Sequence, residues 1–496
     1  MHGTESPAME LPDRISEVFV GKTVLVTGGT GFLGKVLLEK LLRICPTIGS
    51  IIVIVRPKKG KNPQDRVEEI LKGPLFEPLL ATRSISSLLD QITAVPGDIA
   101  QADLGLTEED RILCQTANII VHSAATVRFD EGIKTAVLLN TRGTKCMLEL
   151  AKECTNLELF LHVSTAYCHM NQKILEEKLY PPPRNPHEII KAVEKFTDEM
   201  SDIITPKMLG DYPNTYAYSK ALAEALVEEA MESIPAVIVR PSIVVPIFSG
   251  PVVGWTDNIN GPVGLLIGAG KGVIRTMYGQ DHYSADFVPA DCVINVMLVI
   301  AWDYIHNGYR HTVLNLTSSE EIKVTWREIL EIGRDIVENS VPFDTVLWYP
   351  GGSMTSYKWL HEVRAILFHW IPAIIADTLL YLLGYKPLLI RIQKRISKSF
   401  EIFTFYTNNI WQFKSDNLRS LRTKLNENEK IIYKMDDEGL VLRDYFEQSM
   451  LCARRYLLKE KDENLPRARR HMKVMWYVNV IAKLVIAYLF FSLLFR

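Results

Sequence analysis

The sequence predicts an α/β fold, a Rossmann-type doubly wound parallel sheet, with a smaller helical C-terminal domain and an apolar C-terminal tail. Three observations support it. An apolar run at residues 21–26 leads into a glycine-rich loop at 27–34, a leucine-rich helical pattern at 35–44 and a second apolar run at 51–55, which together form one βαβ unit. Similar runs recur downstream, and the chain ends in a strongly apolar stretch.

Further apolar runs, at residues 118–121, 159–163 and 236–239, predict three more strands. Stretches long enough for helices separate them, the clearest being 141–152 and 218–232. Strands that alternate with helices in this way are typical of a parallel sheet covered on both faces.

The length of 496 residues exceeds what one hydrophobic core normally holds, so we predict several segments. From about residue 325 the pattern becomes mostly helical. The predicted segments are an N-terminal tail (1–20), a nucleotide-binding domain with the catalytic set and substrate loops (21–324), a helical domain (325–465) and a basic-flanked apolar membrane anchor (466–496).

Composition excludes several classes of function. The formal net charge is only -2, from 56 Lys+Arg and 58 Asp+Glu, so we predict no nucleic-acid partner. The seven cysteines lack CxxC-type pairing and indicate reduced thiols rather than a metal site. The first 20 residues contain no apolar run of signal-peptide length, which disfavours secretion.

Gly28, Gly31 and Gly34 have the GxxGxxG spacing of a dinucleotide loop, between a predicted strand and a predicted helix. Such a loop brings backbone amides and the positive end of the helix dipole to a pyrophosphate. We assign Thr30 and Phe32 of the same loop to the cofactor site. The alternative is a plain turn with fortuitous glycines.

The end of the second strand indicates which cofactor binds. NAD-binding domains place a carboxylate there for the ribose 2′-hydroxyl, but this chain has Arg56 followed by Lys58, Lys59 and Lys61. Positive charge suits a 2′-phosphate, so NADPH is the predicted cofactor. The alternative is a solvated basic loop.

Tyr216 and Lys220 lie four residues apart on a predicted helix and therefore on one face. A phenol titrates near pH 10, and we expect the lysine ammonium to lower its pKa and make it an effective proton donor. The competing Tyr218 has Leu222 at that spacing, without a charge. The alternative is an ordinary amphipathic helix with surface Tyr and Lys.

A hydroxyl at the end of an earlier strand should polarise the substrate carbonyl beside the tyrosine. The segment LFLHVSTAY offers Ser164 and Thr165. We favour Thr165, with Ser164 as second choice. A hydroxyl that merely caps a turn is the alternative.

These motifs resemble those of the extended short-chain dehydrogenase/reductases, and within them the alcohol-forming fatty acyl-CoA reductases. The resemblance covers nearly the whole chain and is most specific at about residues 20–300. It is carried by TGGTGFLGKVLLEKLL, GDIAQADLGL, HSAATVRFDE, HVSTAY, PNTYAYSKALAEALVEE, IVRPSIVVP and GPVVGWTDNINGPVG.

The resemblance implies that NADPH reduces a long-chain acyl-CoA to a primary alcohol through an aldehyde-level intermediate, with release of CoA. It also implies the catalytic set Thr165, Tyr216 and Lys220, with Lys220 holding the nicotinamide ribose, and a proton relay supported by Asn140. The cofactor positions it implies are Gly28, Gly31, Gly34, Asp98 for the adenine, and the neighbouring Ile99 and Ala124.

Residues 474–495 are long enough to span a bilayer core, although Lys483 near the middle reduces the gain in free energy. Arg467, Arg469 and Arg470 precede the segment and, by the positive-inside tendency, stay in the cytosol. We therefore expect contact with membrane lipid, a cytosolic catalytic domain and a tail anchor in the endoplasmic reticulum or peroxisome membrane. The alternative is a buried C-terminal helix in an oligomer.

Residues 365–383 are also apolar, but His369, Pro372 and Asp377 interrupt them, and the basic run RIQKRISK follows at Arg391. One hypothesis is a membrane-facing lid or a wall of an acyl tunnel. The other is a plain core helix of the second domain.

Two rival functions fit parts of the pattern. A membrane-bound sterol or steroid dehydrogenase would share the YxxxK pair and an apolar anchor. A Rossmann-type scaffold could bind NADPH without turnover, although the set of Thr165, Tyr216 and Lys220 argues against it.

Overall fold

The structure is a computed structural model that describes residues 11–58, 60–259, 261–308, 312–318 and 323–494. The parts of the sequence predictions that fall outside these ranges include residues 1–10 of the N-terminal tail, Lys59 of the basic run, Asn260 of the GPVVGWTDNINGPVG motif and residues 495–496 of the predicted anchor.

Seven parallel strands form the central sheet, in the order β3-β2-β1-β4-β5-β6-β7. Every strand predicted from the apolar runs is present, so the doubly wound parallel fold is confirmed. The strands are β1 (Thr23–Thr27), β2 (Ser50–Val55), β3 (Ile92–Pro96), β4 (Ile119–His122), β5 (Leu159–Val163), β6 (Ala236–Pro241) and β7 (Val313–Leu316).

Helices cover both faces of the sheet because alternate strand residues point to opposite sides. Val24 and Val26 of β1 belong to one core cluster, and Leu25 between them belongs to the other. Helices α1 (Phe32–Ile44) and α4 (Ala290–Asn307) cover the first face, while α2 (Gly143–Glu153) and α3 (Thr215–Ala230) cover the second.

Shorter elements fill the connections. The helices are Arg14–Glu17, Pro63–Leu71, Glu77–Leu80, Ile85–Leu89, Glu108–Cys114, Ile133–Ala136, Pro186–Glu194, Asp198–Leu209 and Pro262–Gly270. The short strands before residue 320 are Ile174–Leu175, Ile243–Val245, Thr276–Tyr278, Ser284–Ala285 and Phe287–Pro289.

The C-terminal region is mostly helical, as predicted. Its long helices are α5 (Trp326–Asp335), α6 (Lys358–Leu382, with a π-helical turn at Ile366–Trp370), α7 (Leu389–Thr407), α8 (Leu442–Cys452) and α9 (Leu465–Leu494). Its shorter elements are Val324–Thr325, Ser353–Thr355, Gln412–Phe413, Asp416–Arg422 and Glu427–Ile432.

The helical region is built onto the sheet domain rather than separate from it. Gln412–Phe413 pairs in parallel with Ile174–Leu175, and Ser353–Thr355 pairs with Thr276–Tyr278. Leu418 and Tyr433 join the core cluster that contains α4. The division at residue 325 stays a prediction, and contacts across it hold both parts together.

Among the described residues, one helix, Lys358–Leu382, has the length and mean hydropathy (1.7) of a membrane-crossing segment. Only 17% of its most apolar 18-residue stretch is buried. The structure therefore does not support a core helix at residues 365–383. Helix α9, which contains the predicted anchor, exposes Val474, Ile481 and Leu484. Whether residues 474–495 span a membrane stays a prediction.

Candidate active site

The predicted site residues follow the carboxyl ends of the strands. Gly28 follows β1, Ala124 follows β4, and Thr165 follows β5, three strands that are neighbours in the sheet. The strand order reverses between β1 and β4, the topological switch point at which open α/β sheets bind ligands. The geometry therefore brings the glycine loop and the catalytic candidates to one edge.

The glycine loop can accept no larger side chain at two positions. Gly28 has φ +77°, and a Cβ there would lie 2.8 Å from the backbone nitrogen of Ala124. A Cβ on Gly34 would overlap the carbonyl oxygen of Gly28. Gly31 begins α1 with no side-chain cap, so the first amides of the helix remain available to an anion. This cradle fits a pyrophosphate.

A basic cleft of about 620 Å³ opens beside Thr30 of this loop. Three of its cations are already paired, Lys35 with Asp257 at 2.7 Å, Arg455 with Asp462 at 2.7 Å, and Lys61 with Glu69. The cationic side chains that line it are Lys35, Lys58, Lys61, Arg66, Arg455 and Lys459. The local charge is positive, which suits a phosphate.

Arg56 is exposed at the end of β2, and its carbonyl oxygen accepts a hydrogen bond from Nη1 of Arg66 at 2.5 Å. The basic run after β2 predicts Lys58 and Lys61, but no sequence signal indicates Arg455 and Lys459. These two lie almost 400 residues further along the chain, so no local pattern connects them with the glycine loop.

Asp98 and Ile99 lie in the turn after β3. One carboxylate oxygen of Asp98 accepts a hydrogen bond from the amide of Ala100 at 2.9 Å, which fixes the turn. Ile99 is buried against Gly143, where a Cβ would lie 2.9 Å from the Ile99 carbonyl oxygen. The turn is thus held rigidly at the same edge of the sheet as the glycine loop.

Tyr216, Thr165 and Lys220 meet at the end of β5. The hydroxyl groups of Tyr216 and Thr165 are hydrogen-bonded. Nζ of Lys220, which is only 2% exposed, donates to the carbonyl oxygen of Val163 at 2.7 Å. Two hydroxyl groups therefore lie side by side, and the buried amine is bonded to the carbonyl two residues before Thr165.

The electrostatics differ from the expectation in one respect. Burial raises the pKa of Tyr216, although the hydrogen bond from Thr165 opposes the shift. Burial also lowers the pKa of Lys220 to about 8. The prediction that Lys220 lowers the phenol pKa is therefore wrong for this structure. The phenol stays protonated at neutral pH, which is the form that can donate a proton.

Ser164 and Tyr218 lie apart from this pair of hydroxyls. The buried Oγ of Ser164 has no hydrogen-bond partner among the described residues, and neither has the hydroxyl of Tyr218. The Tyr218 ring packs edge-on against Tyr212 in the core cluster on the α3 side of the sheet. Thr165 and Tyr216 are the hydroxyls that the structure brings together.

Asn140 lies in a π-helical turn, Val137–Arg142, that leads into α2. Its side-chain amide donates to Oγ of Ser219 at 3.0 Å and to the carbonyl of Thr126 at 3.2 Å, and its oxygen accepts from the Thr126 amide at 2.8 Å. Irregular turns of this kind often occur at functional sites. The side chain ties α3 to the loop after β4.

A buried hydrogen-bonded chain that the sequence analysis did not assign links this turn to the glycine loop. The Asn140 carbonyl accepts from Thr144 at 2.6 Å, and Thr144 contacts Nε2 of His122 at 3.1 Å. Nδ1 of His122 lies 2.8 Å from the Thr27 hydroxyl, the last residue of β1. Burial lowers the pKa of His122 to about 3, so the imidazole is neutral and positions its neighbours.

Aromatic side chains cover Tyr216. The Phe129 ring lies 5.4 Å from the Tyr216 ring, and Tyr406 stacks on Phe129 at 5.8 Å. The amide of Asn214, which caps α3, donates to the Tyr406 hydroxyl at 2.9 Å. These rings pack around the phenol, which is half-buried, and no sequence signal pointed to Tyr406.

A buried ionic network lies one helical turn beyond Lys220. Glu224 accepts two hydrogen bonds from Arg240, at 2.7 and 2.8 Å, and contacts His169 at 3.1 Å and Cys168 at 3.3 Å. The Cys168, His169 and Glu224 ligand atoms are close enough for a metal ion. However, the guanidinium already engages both carboxylate oxygens, so the arrangement is a structural ion pair.

Comparisons with known proteins agree with this geometry. Two family models, both described as male sterility protein, match residues 26–297 and 368–460. Fatty acyl-CoA reductase 1 of Rattus norvegicus is 40% identical over 460 residues, which cover 92% of this chain and 89% of that protein. The Homo sapiens protein of the same name is 40% identical over 461 residues, with the same coverage.

Solved structures show the same fold at low sequence identity. The reductase domain of a non-ribosomal peptide synthetase from Mycobacterium tuberculosis has a TM-score of 0.58 at 18% identity, and the match covers 90% of this chain and 96% of that chain. The terminal R domain of the myxalamid PKS-NRPS pathway has a TM-score of 0.55 at 21% identity, with coverage of 89% and 92%.

Proposed function

Because this chain belongs to the fatty acyl-CoA reductase family, we propose that it reduces long-chain fatty acyl-CoA to the primary alcohol with NADPH. The observation that carries the proposal is the hydrogen-bonded pair of hydroxyls, Thr165 and Tyr216, beside the buried Lys220 and at the same sheet edge as the glycine loop. Such a pair suits the stabilisation of charge on a carbonyl oxygen.

The residues that would hold the cofactor run along this edge. Gly28, Gly31 and Gly34 would bind the pyrophosphate, with Thr30 and Phe32 beside it, and Asp98 the adenine. Arg56 and Lys58 would pair with the 2′-phosphate, which favours NADPH over NADH. Bound there, the nicotinamide supplies the hydride.

The chain's own residues would then hydrogen-bond and protonate the carbonyl oxygen of the substrate. Tyr216 stays protonated at neutral pH and donates its proton to the oxygen as negative charge develops. Thr165 donates a second hydrogen bond to it. Lys220, with a pKa of about 8, is mostly an ammonium at pH 7 and would hold the ribose hydroxyls beside the phenol.

Two reductions at one site account for an alcohol product. The first converts the thioester carbonyl to a hemithioacetal, whose collapse breaks the C–S bond, releases CoA as its thiol and leaves an aldehyde. The second reduces the aldehyde to the alcohol, and the same two hydroxyls serve both carbonyl oxygens. The aromatic cover over Tyr216 keeps water away from the aldehyde.

The tail would hold the enzyme at a membrane. Helix α9 carries Arg467, Arg469 and Arg470 before its exposed apolar part. With these charges on the cytosolic side, the catalytic domain would face the cytosol, at the endoplasmic reticulum or peroxisome membrane.

Product analysis tests the proposed reaction. Full-length protein in detergent would be incubated with palmitoyl-CoA or a 3-ketosteroid, each with NADPH or NADH, and the products identified by mass spectrometry. We expect hexadecanol and free CoA, formed faster with NADPH. Reduction of the steroid alone, or no product from either substrate, would contradict the proposal.

The basic residues after β2 allow a test of cofactor choice. Replacing Arg56 and Lys58 with alanine removes charge from the proposed 2′-phosphate site, and charge-assisted hydrogen bonds are worth about 1.5–3 kcal/mol each. We therefore expect the Kd for NADPH to rise roughly tenfold or more, with that for NADH unchanged. Lys72→Ala, which removes an exposed lysine paired with Glu68, is the control. Equal weakening of both cofactors would disprove the assignment.

A further inference from the structure

Helix α6 is amphipathic, but its apolar face points away from the protein core. Large apolar side chains four residues apart are exposed along its outer face, by 41–64%. This outer stripe consists of Trp359, Val363, Leu367, Ile371, Ile375 and Leu379. A helix on a water-soluble surface normally turns such a stripe toward the core.

Three polar residues of α6, namely His361, His369 and Asp377, face the protein instead, whereas Lys358, Glu362 and Thr378 are exposed. Nε2 of His369 accepts a hydrogen bond from the Arg275 amide at 2.8 Å, and Nδ1 of His361 lies 3.3 Å from the Thr276 hydroxyl. The buried Asp377 accepts hydrogen bonds at 2.8–2.9 Å from the first amides of α7, which closes the turn between α6 and α7. The residues that interrupt the apolar sequence therefore do not interrupt the outer stripe.

Helix α7 adds positive charge beside this stripe. Arg391, Lys394 and Arg395 are exposed in its first half, and none of them forms an ion pair with a carboxylate of the described residues. Gln393 is buried between them and donates to the Val273 carbonyl at 3.4 Å. We call α6 and α7 together, residues 358–407, the apolar hairpin.

The apolar hairpin and the tail helix attach to neighbouring parts of one surface. Arg275, which binds α6 through its amide, also donates to the Tyr349 carbonyl at 2.5 Å. The adjacent Trp348 donates to Asn479 of α9 at 2.9 Å. The loop around residues 345–350 therefore lies between the hairpin and the tail.

We propose that the apolar hairpin lies along the surface of an anionic lipid bilayer, with the outer stripe of α6 among the acyl chains and the basic residues of α7 at the headgroups. A continuous exposed apolar stripe fits acyl chains, and the neighbouring cations fit lipid phosphates. A second copy of the chain fits less well, because a two-fold contact would bring the two sets of cations together.

The attachment of the hairpin argues against a spanning arrangement of α6. Its inner face is bonded to the sheet domain at His361 and His369 and to α7 at Asp377, so this side of the helix cannot contact lipid. A helix held in this way can insert into the bilayer only to the depth of its outer stripe. The hairpin therefore adds a second, shallow membrane contact to the proposed tail anchor.

The same hairpin reaches the candidate active site. The far end of α7 carries Tyr406, which stacks on Phe129 beside Tyr216, and Lys398 pairs with Asp130 at 2.7 Å. Docking on a bilayer would therefore bring the source of a membrane-dissolved acyl chain to the helix that covers the catalytic tyrosine. This consequence rests on the proposed function, whereas the docking itself does not.

Site-specific fluorescence tests the docking on the full chain. All seven native cysteines are buried, so a single cysteine introduced at Val363, Ile371 or Leu379 can be labelled with an environment-sensitive dye. The protein is reconstituted into vesicles of phosphatidylcholine with and without phosphatidylserine, carrying quenchers at known depths. Ile203→Cys, on the exposed helix Asp198–Leu209, is the matched control.

We expect the emission of all three stripe labels to shift to shorter wavelengths. A shallow lipid quencher should remove most of this emission to the same extent at each position, and more completely in vesicles that contain phosphatidylserine. The Ile203 label should respond only to an aqueous quencher. Deep quenching at Ile371 with shallow quenching at both ends would mean that α6 spans. Protection from both kinds of quencher would mean a protein partner, and aqueous quenching would mean an exposed helix. Each of these outcomes overturns the proposal.

Discussion

Replacing Tyr216 with phenylalanine is expected to lower kcat for acyl-CoA reduction by about 10²–10⁴-fold, the range attributed to one general acid. The variant removes only the hydroxyl. The ring contact with Phe129 remains, and so does the helix that holds Lys220 on the Val163 carbonyl. Alcohol formation would be measured by single-turnover product analysis, with the NADPH Kd and the melting temperature determined in parallel.

Tyr218→Phe is the matched control for this variant. It makes the same change two residues along the same helix, at a hydroxyl that has no hydrogen-bond partner among the described residues. We expect its kcat to be unchanged. If Tyr216→Phe retained normal turnover, or if Tyr218→Phe lost it, the assignment of the proton donor would be wrong.

The parts of this site that the sequence predicts are those set by local pattern. The glycine loop, its strand and its helix occupy one continuous stretch from Thr23 to Ile44, and period and spacing determine their structure. Tyr216 and Lys220 share a helix face, so their proximity also follows from spacing alone.

The parts that it does not predict depend on contacts distant in sequence. Tyr406 contacts Phe129, which in turn contacts Tyr216. Tyr406 lies 190 residues after Tyr216 and 277 residues after Phe129, and no periodicity connects the three positions. The direction of the Tyr216 pKa shift likewise depends on how completely neighbouring elements bury the phenol. Spacing placed Lys220 on the same helix face as Tyr216 but did not indicate the desolvation that raises the phenol pKa.

The segment 365–383 illustrates a different failure. Its apolar composition is compatible with a core helix, and its polar residues count as interruptions when read along the chain. In three dimensions His369 and Asp377 lie on the inner face and the apolar residues on the outer one. Composition cannot distinguish these cases, because which face is solvated depends on the elements that pack against the helix.

Gly28→Ala is expected to weaken NADPH binding by roughly tenfold to a hundredfold, from a steric cost of about 1–3 kcal/mol in a tightly packed loop. The added methyl group would meet the backbone nitrogen of Ala124 at 2.8 Å. The backbone nitrogen of Ala124 directly follows the central strand β4 and cannot move aside as a flexible side chain can. The glycine loop itself must therefore shift away from the pyrophosphate position.

Gly439→Ala separates this collision from backbone strain. Gly439 has the same φ of +77°, and a Cβ there would have no heavy atom within 4 Å. Both variants therefore carry the cost of a left-handed alanine, about 1–2 kcal/mol, and only Gly28→Ala adds the contact with Ala124. Calorimetry with NADPH and thermal unfolding of both proteins would measure the difference. If Gly28→Ala bound NADPH as tightly as Gly439→Ala, the glycine loop would not be the pyrophosphate site, because only Gly28 lies in that loop and packs against the end of β4.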